Sequence, residues 1–98
     1  MPHAVVRTYT GEGASMVFDL VEGANEDVRE LLGSIPGFIS YTAIREAGGG
    51  ATVTVCEDQA GTDESSKRAA AFVAERSGGK TIDPPTITEG DTVLHFGS

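Results

Sequence analysis

The sequence predicts an α+β domain with elements in the order β-α-β-β-α-β. Three observations carry that reading. A helical stripe of apolar residues follows a short β-branched run. Two strand-like runs flank Gly48-Gly49-Gly50. A second helical pattern then leads to an extended C-terminal run. Strand–helix–strand, hairpin and helix–strand compose a split β-α-β arrangement with sheet order 4-1-3-2 and both helices on one face.

Residues 3–10 are rich in β-branched and aromatic side chains and stop at Gly11, as a strand does. Residues 15–32 place Val17, Leu20, Val21, Ala24, Val28 and Leu31 at helical spacing, with Asp19, Glu22, Glu26 and Glu30 opposite. Gly23 inside this run marks a kink, and Gly33 with Pro36 ends it. Residues 38–46 and 51–57 read as a hairpin. The second helix covers residues 62–77, with Thr62 or Asp58 as cap and acid-first pairs Asp63/Lys67 and Glu64/Arg68. Its buried face, Ser65, Ala69, Phe72, Val73 and Arg76, holds few large apolar groups, so the contact beneath it is shallow. The last strand is expected at residues 92–96, with an earlier start at Thr86 interrupted near Gly90.

The 98 residues suit one domain, 1–98, with a thin core. A net charge of -8 argues against nucleic acid and anionic membrane as partners, since both are held through Lys and Arg. No apolar run approaches membrane-spanning length, and residues 1–7 lack a signal-peptide layout. The single Cys56 allows no internal disulfide, which suits a reducing cytoplasm. No cofactor and no metal ion are expected. Gly11-Glu12-Gly13-Ala14-Ser15-Met16 lacks the third small residue of a dinucleotide fingerprint, and the acidic helix stripe presents isolated carboxylates.

Alternation divides the sheet positions into two sets. Ala4, Val6, Phe38, Ile44, Ala51, Val53, Val55, Leu94 and Phe96 are mostly apolar and are expected beneath the helices. His3, Val5, Arg7, Tyr9, Ile39, Tyr41, Thr52, Thr54, Cys56, Val93 and His95 mix polar and aromatic groups and are expected to face a second subunit.

With these elements in place the chain resembles the dimeric α/β-barrel superfamily, in particular its antibiotic-biosynthesis-monooxygenase-like members. The likeness rests on Val5-Val6-Arg7, on Pro36-Gly37-Phe38-Ile39-Ser40-Tyr41, and on Val53-Thr54-Val55-Cys56-Glu57-Asp58 before an Ala-rich helix. The resemblance implies a ferredoxin-like fold and a homodimer with facing sheets. It also implies a range of activities: cofactor-free oxygenases, haem-degrading enzymes, isomerases and proteins with no known activity. The oxygenases and haem degraders often use a Trp with an Asn or a His; here there is no Trp, and the one Asn is Asn25 on a helix flank.

The candidate site residues follow from chemistry. Arg7, Tyr9 and Tyr41 combine a guanidinium fork with phenol donors on apolar bodies, which suits an anionic or phenolic ligand, although the same residues also favour interfaces. His3 and His95, near the ends of neighbouring strands, are positioned as an acid/base pair, with His95 the catalytic candidate; two rim residues are the plain alternative. Cys56 beside Glu57 and Asp58 reads as inert. The sequence thus points to a homodimeric, non-catalytic or small-molecule-binding domain. The alternative is a cofactor-free monooxygenase-like enzyme acting on a small aromatic or phenolic substrate, and the sequence leaves open whether the chain is an enzyme.

Overall fold

β-branched runs separated by glycine turns pair into one antiparallel sheet, and the amphipathic segments between them cover a single face of it. The computed structural model describes residues 1–97. Its elements are β1 (His3–Tyr9), α1 (Ala14–Gly23), α2 (Asn25–Gly33), β2 (Phe38–Glu46), β3 (Gly49–Cys56), α3 (Gln59–Arg76) and β4 (Thr86–Asp91). The sheet order is β2-β3-β1-β4, which is the 4-1-3-2 order that the element sequence predicts.

The first helical run is two helices rather than one. After Gly23 the backbone turns at Ala24 (φ -124°, ψ 35°), whose N–H closes α1 on Leu20 and whose carbonyl opens α2 by accepting from Val28. The break lets both halves curve onto the sheet, burying Val17 and Phe18 from α1 and Val28 and Leu32 from α2. The hairpin turns through Ala47 and Gly48, the latter in the left-handed region at φ 79°. Asp58 caps α3 by accepting from the Gly61 N–H at 3.1 Å.

Two expectations are overturned. The last strand lies at Thr86–Asp91, earlier than residues 92–96. Antiparallel pairing sets Asp91 opposite His3, the first residue of β1, so β1 offers nothing further to pair with. Thr92 is tied to the Pro2 carbonyl through its N–H and its hydroxyl, and the chain beyond it is not strand. The faces of the sheet are also reversed, except at Phe38, which packs against Val28, Leu32 and Ile35 as expected because the register shifts between it and Ser40. His3, Val5, Arg7, Tyr9, Thr52, Thr54 and Cys56 are buried under the helices. Ala4, Val6, Ala51 and Val53, half-buried, and Ile44, exposed, lie on the open face. The polar set goes inside because α3 brings its own polar groups, so each buried donor finds an acceptor.

Two apolar clusters flank this polar centre. Tyr9, Ala14, Val17 and Phe18 form one, with the Tyr9 and Phe18 rings edge to face at 5.9 Å. Val28, Leu32 and Ile35 form the other, joined by Phe38, Tyr41 and Phe72.

Gly61 sets how closely α3 approaches the sheet: a Cβ there would stand 2.7 Å from the Cβ of buried Cys56. Gly→Ala in a helix otherwise gains about 1 kcal/mol. Gly61→Ala is therefore expected to destabilise by about 1–3 kcal/mol, because overpacking outweighs propensity. Gly23→Ala, which meets open space, is expected to be neutral or stabilising by up to about 1 kcal/mol. Urea denaturation of the two variants checks the opposite signs.

Candidate functional site

The site grows from one alternation in β1. His3, Val5, Arg7 and Tyr9 point to the helices because the strand period is two. Register with β3 sets Arg7 opposite Thr52 and Val5 opposite Thr54. On α3, Thr62, Ser65, Ser66 and Ala69 fall at helical spacing over these positions. Short side chains here leave room for a long one from below.

Arg7 occupies that room and is 3% exposed. One terminal nitrogen, Nη1, donates to Thr54 Oγ1 at 3.1 Å and to Thr52 Oγ1 at 3.4 Å. The other, Nη2, donates to Ser65 Oγ and Ser66 Oγ, both at 2.9 Å. Ser65 gives its own hydroxyl proton to the Thr62 carbonyl at 2.7 Å, so its lone pairs are already aimed at Arg7. His3 is held in the same way. The Thr62 hydroxyl lies 2.7 Å from His3 Nδ1 and 3.1 Å from the Gln59 carbonyl, so it ties the two together.

All four Arg7 partners are neutral. Among the described residues the ion pairs join Arg45 to Asp19 and Glu22, Arg68 to Glu64, and Arg76 to Asp27, and no carboxylate pairs with Arg7. Its hydrogen bonds are satisfied and its charge is not. Burial lowers the Arg7 pKa from the ordinary guanidinium value, with Tyr9, Tyr41, Cys56 and Glu89 pulling the other way. Burial raises Tyr9 and Tyr41, against the pull of Arg7. Both phenols therefore stay protonated and serve as neutral donors.

A cavity of about 610 Å³ opens beside Arg7, between the sheet and α3. Arg7, Tyr9 and Ser66 meet it at the inner end, while Ala69, Ala70, Val73 and Ala74 of α3 keep its wall small and apolar. The segment 77–85 runs along its mouth. That segment is held by a reciprocal pair, Asp83 N–H to the Glu12 carbonyl at 2.9 Å and Glu12 N–H to Asp83 Oδ2 at 3.1 Å. Deeper in, a void of about 30 Å³ reaches from Arg7 and Tyr9 to Tyr41 and Thr52. Its wall is mostly apolar, with Val17, Val28, Leu32 and Phe72 among its residues. Of the four hydroxyls on Arg7, that of half-buried Ser66 borders the cavity.

Arg7, Tyr9 and Tyr41 are thus brought together around one polar centre, within a subunit rather than across two. His3 is bonded to Thr62 and does not line the cavity. His95 lies on the exposed segment after β4, and among the described residues no hydrogen bond joins it to His3. Cys56 is fully buried, and burial together with Asp58 pushes its thiol pKa up, against a reactive thiolate. No group of three His, Cys, Asp or Glu among the described residues is placed to hold a metal ion. Thr52, Thr54, Ser65 and Ser66 went unassigned in the sequence. Their signal was a run of hydroxyls at helical spacing, facing an arginine whose strand neighbours are threonines.

Sheet order and helix placement give the fold of the antibiotic-biosynthesis-monooxygenase-like proteins. Among solved structures, the chain is similar to a protein of unknown function from Nitrosomonas europaea, at 16% identity and TM-score 0.71 over 99% of this chain and 93% of that one. It is similar to a monooxygenase of Streptomyces coelicolor in complex with nanaomycin D, at 24% identity and TM-score 0.63 over 98% of this chain and 91% of that one. A third is the haem-degrader of Mycobacterium tuberculosis with two haems bound in its active site, at 17% identity and TM-score 0.63 over 99% and 100% of the two chains. No family model and no curated protein matches the sequence. No helix among the described residues is long and apolar enough to cross a membrane.

Replacing Arg7 with Met removes a buried charge while keeping much of its length. The four hydroxyls that accept from Arg7 remain and lose their donor, and a buried polar group left unsatisfied costs about 1–3 kcal/mol. Thermal denaturation of Arg7→Met is therefore expected to show a Tm lowered by several degrees. An unchanged or raised Tm would mean that the cost of burying the charge outweighs the bonds of the cage.

Proposed function

We propose that this chain is a small-molecule-binding domain whose ligand carries a carboxylate or phenolate on an apolar, ring-sized body, and that it works as a homodimer. The observation that carries this reading is Arg7: a buried cation with only hydroxyl partners, at the inner end of a 610 Å³ cavity. A buried charge without a counterion is costly, and an anionic ligand supplies one. The Ala-lined wall of α3 takes the apolar body, and the cavity falls within the ordinary range for small-molecule sites. Self-association is supported by the open face of the sheet, where Ile44 is 56% exposed and Ala4, Val6 and Val53 are half-buried.

A second reading is a cofactor-free oxygenase acting on a small phenol. It is favoured by the same guanidinium, which stabilises a phenolate and lowers the pKa of a bound phenol without any side-chain base. A phenol and dioxygen then balance to a quinone and water. The monooxygenase with bound nanaomycin D shares the fold, and fold alone is weak support for a shared reaction.

Thermal shift with 2-naphthoate and its neutral amide tests the first reading. The carboxylate is expected to raise Tm, with stabilisation of about 2.7 kcal/mol at one hundred times its dissociation constant. That corresponds to roughly 10–20 °C in a domain of this size. The amide is expected to do far less, and Arg7→Met to abolish the difference. Equal shifts from both compounds would sink the assignment of Arg7. Dioxygen uptake that depends on 1-naphthol and disappears in Arg7→Met would favour the oxygenase.

A further inference from the structure

We propose that the void of about 30 Å³ behind Arg7 is a second subsite, which takes a small apolar group beside the anion held by the guanidinium. The proposal rests on the anion-binding reading above for its neighbour, and one arm of its test needs no anion.

The void follows from how the core is divided. The guanidinium and its hydroxyls occupy the centre, between the sheet and α3, and the apolar side chains gather into separate clusters on either side. Val17 from one cluster and Val28 and Leu32 from the other face the gap. Helix α3 adds Val73, packed on the first cluster, and Phe72, packed on the second. Protein interiors hold few spaces larger than a water, so one left open in a core this thin calls for an occupant.

Size and lining select that occupant. About 10–15 Å³ is enough for one water, so the void accommodates about one or two heavy atoms: a methyl or ethyl group, or a diatomic molecule. Water itself is disfavoured, because an ordered water needs about two to four polar partners. Arg7 and Thr52 reach the void, but Arg7 already donates to four hydroxyls, that of Thr52 among them. Among the described residues no buried side-chain nitrogen or oxygen lacks a partner. Spaces lined by apolar side chains stay dry and take apolar guests.

Position gives the subsite its use. Arg7, Tyr9, Ala69 and Val73 stand in the walls of both the void and the 610 Å³ cavity, so the two spaces adjoin at the guanidinium. A ligand whose carboxylate or phenolate bonds to Arg7 turns the neighbouring position of its ring toward the void. A small alkyl substituent at that position is one source of the apolar group. A free diatomic, dioxygen in the oxygenase reading, is the other. Both are recognised by the same chemistry, dispersion contacts with valine, leucine and phenylalanine side chains and no hydrogen bond.

Two measurements on the full chain test the subsite. Xenon, a compact apolar probe, is expected to bind the ligand-free protein at a saturable site, read by xenon NMR or in xenon-pressurised crystals. Val17 lines the void and not the cavity, so Val17→Ile is expected to remove that site by filling it. Calorimetric titration is expected to give 3-methyl-2-naphthoate a dissociation constant about fourfold below that of 2-naphthoate, the gain from burying one methyl group. In Val17→Ile the ratio is expected to fall to about one. A methyl advantage, with xenon displaced by the methylated compound alone, assigns the void to a ligand substituent. Xenon that stays bound beside 2-naphthoate, with no methyl advantage, assigns it to a free apolar molecule. Absence of both the xenon site and the methyl advantage overturns the subsite, and the unsubstituted chain decides this without the variant. Xenon binding in a protein that takes up neither naphthoate overturns the anion reading and leaves the apolar site standing.

Discussion

The Arg7 guanidinium, held by four hydroxyls and no carboxylate, is the constraint around which the rest of the domain is arranged. It requires acceptors from below and above at once. Thr52 and Thr54 come from β3; Ser65 and Ser66 come from α3. The helix can supply them only by running close over the sheet, which the missing side chain at Gly61 permits and the Asp58 cap begins. Apolar packing is displaced to either side, into the Tyr9–Phe18 cluster and the Val28–Leu32–Ile35 cluster. The small residues farther along α3 then leave space instead of contact, and that space is the cavity. Helix position and cavity thus both follow from one buried cation.

Element order and sheet order were legible because they depend on local signals. Apolar periodicity, glycine turns and a helix cap act over a few residues. The face of the sheet was not legible by the same means. Ranking the two alternating sets by polarity sends Arg7, Thr52 and Thr54 outward, and that ranking fails when buried polar groups answer one another across two elements. The match between Arg7 and the Thr62, Ser65, Ser66 series is visible in the sequence only after helix and strand are set face to face. Of the candidate site, the Arg7, Tyr9 and Tyr41 grouping could be read from strand alternation and hydrogen-bonding chemistry; its location within one subunit could not.

The last strand and the first helix show the two ways in which tertiary context overrides local preference. Residues 92–96 are better strand formers than Thr86–Asp91, yet β1 ends opposite Asp91 and offers no further partner. Register with a neighbour outweighed composition. In the first helix, a continuous apolar stripe described one helix, and Gly23 with Ala24 divided it so that both halves follow the curvature of the sheet. His95 is carried out of the fold by the first of these effects, which is why its approach to His3 does not occur.

The net charge of this molecule says little about how its cavity fills. The chain carries -8, while the cavity lining holds Lys80 and Asp83 besides Arg7. Beyond a Debye length, about 8 Å in physiological salt, an approaching anion is screened from the chain's overall charge; nearer in, it meets that balanced pair before the buried guanidinium. Long-range steering has little to act on in either direction. Selection among anions would fall at the last step, where guanidinium and small apolar wall meet the ligand together, and the rate of capture should change little with added salt.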